Sequence, residues 1–470
     1  MPIKSSPLDQ AHSSEAADGF PGAPEPMSAS TSPSALPTPT PIEGRRHFLQ
    51  RSGLGIAAAV AASSAAKVQA AGLVGADTNA VKLPLIQDPT TEQKELTPDP
   101  SLPPDNRVGY AIVGLGRLAL DQILPAMAQC KYSKIVALVS GDRAKALKIA
   151  RQYGVRDTSI YDYQSFEQLA NNPDVQVIYI VLPNGMHKDF TVRAAKIGKH
   201  VLCEKPMATH SADCQAMIGA CRDANRKLMI AYRSQYEPMD RMIAKMVKEN
   251  KLGPLREFIA TNSQNQGDPT QWRLNKQLSG GGSLPDIGLY CLNAARFITG
   301  LEPEQVIATV SRPDNDPRFT QVEAGVHFIL RFADGLTATC IASYASHESR
   351  FFRVQGAEGW VELNPAFGYN GLQLRHGLLV DGKTAVTQLQ IDPQDQFARE
   401  IDHMSSCVIR DVSPHTPGEE GLQDQLIMEA IYESARTGLA VRIAPPSSPP
   451  RGPDPEEEAF CALRHKDAAR

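Results

Sequence analysis

The stretch Val108-Gly109-Tyr110-Ala111-Ile112-Val113-Gly114-Leu115-Gly116-Arg117-Leu118-Ala119 decides the fold. Its first six residues form an apolar run of strand length, and residues 118–128 read as a following helix. Between them stands a G-x-G-x-x-A turn. In such a turn the first glycine permits the sharp bend and the second lets the backbone approach a pyrophosphate. The small third residue lets helix and strand pack closely, and the helix N-terminus faces the negative charge. A bare glycine pattern is weak, but here strand, turn and helix follow one another as a dinucleotide site requires. Gly114, Leu115, Gly116, Arg117 and Leu118 are therefore the expected cofactor contacts.

The alternation continues downstream. Residues 134–140 read as a second strand and 144–153 as its helix. Residues 175–182, almost wholly β-branched or apolar, read as a buried parallel strand. Strands at 200–203 and 228–231 follow, with helices at 189–197 and 212–224 between them. This is a doubly wound N-terminal Rossmann domain over residues 107–231. The end of its second strand separates NAD from NADP, because NAD units carry an acidic residue there for the ribose 2′-hydroxyl. Here Val139-Ser140-Gly141-Asp142-Arg143-Ala144-Lys145 offers Ser140 as a donor to a 2′-phosphate and Arg143 or Lys145 as its counter-charge. NADP is the expected cofactor. Two readings compete with this: an acidic contact from Asp142, and a solvated helix face for the two basic residues.

After Tyr232 the character changes. Residues 255–261, 305–311, 324–332, 337–343, 351–355 and 359–363 are strand-like, with the hairpin turn Ala333-Asp334-Gly335. They predict a C-terminal α+β domain over 232–442 with a large, mostly antiparallel sheet. Helical segments at 239–248, 288–299, 397–408 and 421–437 are expected to cover one face. The other face calls for subunit association.

The chain has 470 residues, a net charge of −4 and 42% hydrophobic residues, which is soluble globular composition with no electrostatic footprint for nucleic acid. Its 36 prolines crowd the first hundred residues and the last thirty. Arg45-Arg46-His47-Phe48-Leu49, the alanine-rich run 54–66 and the small residues closing on Ala70 stand in the order of a twin-arginine signal. Residues 1–70 are read as that signal, 71–106 as a Pro-rich arm and 443–470 as a disordered tail. The expected location is the periplasm, with no membrane association after export. That route carries folded proteins, so NADP would be loaded before export. The eight cysteines show neither Cys-x-x-Cys nor zinc spacing, so reduced buried thiols and no metal site are expected.

Three more motifs fall at strand ends or at a facing helix: Leu182-Pro183-Asn184 with His187, Cys203-Glu204-Lys205-Pro206, and Gly280-Gly281-Gly282-Ser283-Leu284-Pro285-Asp286-Ile287-Gly288-Leu289-Tyr290. Together they resemble the glucose–fructose oxidoreductase and inositol dehydrogenase family over about residues 107–442. Val139-Ser140-Gly141, Gln271-Trp272-Arg273-Leu274, Gly418-Glu419-Glu420-Gly421 and Tyr290, where most of the family has His, resemble its glucose–fructose branch.

The resemblance implies a catalytic set of Lys205, Asp286 and Tyr290. A hydride leaves the sugar's anomeric carbon for the nicotinamide while Tyr290 takes the hydroxyl proton, and the proton returns in the reverse half. Free tyrosine has a pKa of about 10, and an ammonium such as Lys205 would favour phenolate. Asp286, one turn earlier, shares that face and would orient sugar hydroxyls. Leu182, Pro183, Asn184, Glu204 and Lys205 join the cofactor contacts. His187 reads equally as a cap or packing residue and as a cofactor contact. Trp272 and Arg273 read as nicotinamide contacts or as core packing, and Pro206 as a cis proline.

The branch also implies retained NADP, glucose oxidation to its lactone, fructose reduction to sorbitol by ping-pong hydride transfer, and a homotetramer, with a dimer open. The competing functions are a conventional NADP-dependent aldose dehydrogenase, an aldose–aldose oxidoreductase and a non-catalytic NADPH-binding protein.

Overall fold

The computed structural model describes residues 106–455. The twin-arginine region 1–70, all of the arm but its last residue, and Cys461 lie outside the described residues. Six parallel strands form the first sheet: β1 (Val108–Val113), β2 (Ser133–Val139), β3 (Ile160–Tyr161), β4 (Val177–Ile180), β5 (His200–Glu204) and β6 (Leu228–Ala231). Their order is β3-β2-β1-β4-β5-β6. Every residue of β1, β4 and β6 is buried, as expected of strands covered on both faces. The order reverses between β1 and β4, which opens a crevice beyond their C-terminal ends.

The helix after β1 begins as a π-helical turn, Ala119–Ile123, and is α-helical only over Leu124–Met127. The helices that link later strands are α1 (Arg143–Tyr153), α2 (His187–Lys196) and α3 (Ser211–Asp223). α1 starts where the Asp142 carboxylate accepts the Lys145 amide at 2.9 Å and stops at Gly154, whose φ of 70° is left-handed.

Beyond α4 (Pro238–Lys248) lies a nine-stranded sheet of β7 (Leu255–Asn265), β8 (Gln305–Ser311), β9 (Gly325–Arg331), β10 (Thr337–Ser343), β11 (Ala345–Gly356), β12 (Gly359–Leu363), β13 (Leu374–Val380), β14 (Lys383–Leu389) and β15 (Val441–Arg442). The order is β14-β13-β12-β11-β7-β10-β9-β8-β15, antiparallel except for β7 against β10. Phe258, Phe352, Val354 and Phe328 point to the buried face. On the other face Ile259, Thr339, Ile329 and Ile307 stand opposite one another in a cross-strand row, and the three isoleucines are exposed.

Beyond β7 and the four-residue helix Lys276–Ser279 come three longer helices: α5 (Leu289–Thr299), α6 (Gln396–Arg410) and α7 (Gly418–Thr437). α6 departs from expectation, because it packs on the parallel sheet rather than on the antiparallel one. Its Phe397, Ile401 and Met404 join the core containing Tyr110, Leu138 and Tyr179. Tyr110 Oη donates to the Ile401 carbonyl at 3.0 Å, and Ser133 Oγ donates to Asp402 at 2.8 Å.

Residues 443–455 also depart from the tail reading. Arg451 donates to Glu420 at 3.1 Å, and Asp454 accepts from Arg241 at 2.5 Å. These buried charges need partners, and the last described residues supply them. The seven described cysteines are buried and free of disulfides.

Candidate active site

A cleft of about 710 Å³ runs from the switch point of the parallel sheet to the second domain. At its outer end Gly114 has φ +95°, and a Cβ there would meet the Val181 carbonyl oxygen at 2.3 Å. Gly116 differs: an added Cβ would meet nothing within 4 Å. Protein packing does not require that glycine, whereas a close-lying pyrophosphate does. The turn therefore fits a dinucleotide, with Leu115, Arg117 and Leu118 also lining the cleft and Arg117 paired with Asp121 at 3.6 Å.

The end of β2 divides the expected 2′-phosphate ligands. Ser140 and Lys145 line the cleft. Exposed Arg143 does not; its Nη1 donates to the Ile160 carbonyl at 3.3 Å. Asp142 caps α1 through one carboxylate oxygen, and its amide donates to Ser140 Oγ at 3.1 Å. Tyr163, which sequence reasoning missed, sets its ring against Gly141 and lines the same end.

Leu182, Pro183 and Asn184 form one wall, with Asn184 Nδ2 donating to the Ser279 carbonyl at 2.8 Å across the domains. His187 is no cofactor contact. It is fully buried, and its two ring nitrogens face the carbonyls of Pro206 and Leu182 at 2.9 and 2.8 Å. Burial pushes its pKa down while the two carbonyls favour the charged form, and the ring sits wedged between the two loops that end β4 and β5.

At the inner end the Lys205–Pro206 peptide is cis. Glu204 accepts from Tyr179 Oη at 2.9 Å and from the Lys205 amide at 3.2 Å. Lys205 Nζ donates to the Asp286 carbonyl at 2.9 Å and to its Oδ1 at 3.1 Å, and lies 4.5 Å from the centre of the Tyr290 ring. Asp286 Oδ2 accepts from Arg273 Nε at 2.9 Å and from Tyr344 Oη at 2.5 Å. Burial pushes this carboxyl up, but the Arg273 and Lys205 charges and the hydrogen bonds of Tyr344 and Lys205 outweigh it. They hold it well below the usual range. Burial disfavours the Lys205 ammonium too, yet Tyr290, Asp286 and Glu204 together hold its pKa above the ordinary lysine value.

Asp286 lies in a π-helical turn, Leu284–Gly288, that runs into α5, so Asp286 and Tyr290 face the same cleft. Glu323 secures the preceding glycine run by accepting from the Gly282 and Leu284 amides at 2.9 and 3.0 Å. Trp272 and Arg273 also line the cleft, with the guanidinium 4.6 Å from the indole, so they are wall residues and not core packing. Sequence reasoning missed Arg233 and Tyr344. Arg233 stands two residues past the end of β6, at the strand end where ligands gather in such sheets; no local signal marks Tyr344.

This arrangement has known counterparts. Residues 108–232 match the oxidoreductase family with an NAD-binding Rossmann fold, and residues 241–362 match the GFO/IDH/MocA C-terminal domain. A D-xylose 1-dehydrogenase [NADP(+)] from Haloarcula marismortui is 33% identical over 72% of this chain and 94% of its own length. A D-xylose 1-dehydrogenase (NADP(+)) from Haloferax volcanii is 31% identical over 71% of this chain and 99% of its own. The crystal structure of an aldose–aldose oxidoreductase from Caulobacter crescentus, complexed with glycerol, superimposes with a TM-score of 0.69 at 45% identity. It covers 72% of this chain and all of that one. The glycine turn, the cis-proline loop and the Asp286–Tyr290 helix start thus sit in two domains that both match one family, and the chain belongs to the GFO/IDH/MocA oxidoreductases.

Proposed function

We propose that this protein is an NADP-dependent sugar oxidoreductase that retains its cofactor, oxidises an aldose such as glucose to its lactone, and then reduces a second sugar. The observation that carries this reading is the meeting of Lys205, Asp286 and Tyr290 at the inner end of a cleft whose outer end is the glycine turn. NADP bound there supplies the hydride acceptor of the first half-reaction and the donor of the second. Ser140 and Lys145 support NADP over NAD, as do the two NADP-dependent relatives, although Asp142 lines the same end of the cleft with one carboxylate oxygen engaged as a helix cap.

Tyr290 Oη takes the proton of the anomeric hydroxyl and, in the second half, gives it to the carbonyl oxygen of the second sugar as that carbonyl is reduced to a hydroxyl. Asp286, held ionised by two cations, moves no proton. It fixes Lys205 and Arg273 and leaves the sugar hydroxyls to meet their donors. The motifs point to fructose, reduced to sorbitol, as the second sugar. The 45% identity to an aldose–aldose oxidoreductase favours a second aldose instead. A near-ultraviolet spectrum of the purified protein, with no cofactor added, tests both. A reduced-nicotinamide band that rises with glucose and falls with fructose supports the first acceptor, and one that falls only with an aldose supports the second. A protein showing no band until NADP is supplied is a conventional dehydrogenase, and a band indifferent to all sugars removes the sugar reading.

Export by the twin-arginine route rests on Arg45-Arg46, the run 54–66 and Ala70, and it gives cofactor retention a reason, since NADP is not replenished outside the cytoplasm. Replacing both arginines with lysine should leave the protein in the cytoplasm. The exposed row of Ile259, Ile329 and Ile307 supports association with further copies through that sheet face. Light scattering that returns a monomer mass would exclude it.

A further inference from the structure

We propose that Arg233 is a positioning residue for the proton transfer: it fixes the Tyr290 hydroxyl and balances the charge left when that oxygen has given up its proton. This rests on the reading of Tyr290 as the proton-transferring group. Lys205 covers the face of the Tyr290 ring, but it directs two of its ammonium hydrogens to Asp286 and none of its hydrogen bonds reaches the phenol oxygen. The donor that reaches the phenol oxygen is Arg233, whose Nε donates to Tyr290 Oη at 3.0 Å. Two cations therefore serve one phenol in different ways, Lys205 at the ring and Arg233 at the oxygen.

The orientation of Arg233 is set by the rest of its guanidinium. Nη1 donates to the Gly368 carbonyl at 3.1 Å and to Gln396 Oε1 at 2.6 Å, and Nη2 donates to the Phe367 carbonyl at 2.7 Å. The group lies 4.7 Å from the Tyr290 ring centre and 4.4 Å from that of Tyr369, and the residue is 4% exposed. With both terminal nitrogens engaged, Nε has one direction left, towards the phenol.

The carbonyls come from a loop that takes an unfavourable shape: Phe367 has φ +61°, a conformation side-chain-bearing residues rarely adopt. Gln396 Nε2 ties the same loop down by donating to the Gly368 and Tyr369 carbonyls at 3.1 and 2.9 Å. An arginine stays charged at every working pH, so Arg233 carries no proton itself. It acts through the field and the hydrogen bond it presents to Tyr290. The other charged groups facing the pair are Lys205, Asp286 and Arg273 on the cleft side, and Glu204, Asp240 and Glu400 behind the guanidinium.

The test is sugar oxidation by the cofactor-loaded enzyme across pH, with Arg233→Met and Arg233→Lys beside the parent. For Arg233→Met, kcat should fall about 100-fold with KM within about threefold. The acid limb of kcat should move up by about one pH unit or more. Arg233→Lys should return the limb towards its original place. A uniform loss at all pH values without rescue by lysine, or unchanged kcat, overturns the proposal.

A substrate-free readout separates this inference from the sugar assignment. In an alkaline titration of tyrosinate absorbance, the difference between parent and Tyr290→Phe reports one ring. Loss of Arg233 should move that difference to higher pH even if no sugar turns over, and an unmoved difference overturns the proposal. If Arg233→Met does not fold, Gln396→Leu removes one of the two acceptors of Nη1 and should move the same signal in the same direction by less, while no movement again overturns it.

Discussion

At the outer end of the cleft the glycine turn, Ser140, Lys145 and the 182–184 wall each lie within a few residues of a strand end. At the inner end Lys205, Arg233, Arg273, the Asp286–Tyr290 helix start and Tyr344 come from five separate segments and both domains. The outer end is shaped chiefly by backbone, so its geometry follows from local conformation. The inner end is a set of mutually neutralising side chains, so each member depends on the packing of the others. Substitutions should accordingly act alone at the outer end and through neighbours at the inner one.

The largest effect is expected at the inner end. Tyr290→Phe should lower sugar turnover by about 100- to 10,000-fold while the bound-cofactor band persists; normal turnover would remove Tyr290 from the mechanism. Asp286→Asn comes next, because it leaves Lys205 and Arg273 facing each other without their shared carboxylate. A stability loss of about 3 kcal/mol is expected in denaturant unfolding. The folded-state pKa of Asp286 lies below its ordinary 3.8. Its contribution is therefore fully present above that value and lost as pH falls through the folded one. The gap between parent and variant should thus narrow only in strong acid. A gap that is constant with pH would mean the carboxylate is not what the cations require.

At the outer end the two glycines should separate. Gly114→Ala meets a carbonyl in a left-handed backbone and should cost about 2 kcal/mol of stability. Gly116→Ala should melt like the parent yet bind NADP more weakly. If both behave alike, the open space beside Gly116 is not the pyrophosphate's. The smallest effect belongs to Asp142→Ala, which removes a helix cap worth about 1 kcal/mol and should leave the preference for NADP over NAD unchanged or stronger. A loss of nucleotide binding would restore the acidic-contact reading of Asp142.

This contrast also explains what could be read from residues alone. The parallel sheet and glycine turn were legible because strand, turn and helix signals are contiguous there. Arg143 and His187 stay open in the sequence because a basic residue at a helix start and a histidine after a strand serve packing as readily as ligands. Lys205, Asp286 and Tyr290 were found through motifs, but nothing local links Arg233 to a loop more than a hundred residues away, or Tyr344 to Asp286. β13 and β14 escaped because the edge hairpin is exposed over most of its length and carries little apolar alternation. The stripe of Phe397, Ile401 and Met404 announced that α6 is buried on one side. It could not say which of two sheets receives it.

That placement of α6 bears on protein engineering. Exchanging residues 107–231 with those of another enzyme, to graft a different nucleotide preference, would leave Tyr110 and Ser133 without Ile401, Asp402 and Ser405. The nucleotide-binding half borrows part of its floor from a helix that stands more than 260 residues after the strand residues it holds. A successful chimera must carry residues 396–410 with it, and the natural unit of exchange is discontinuous in the gene.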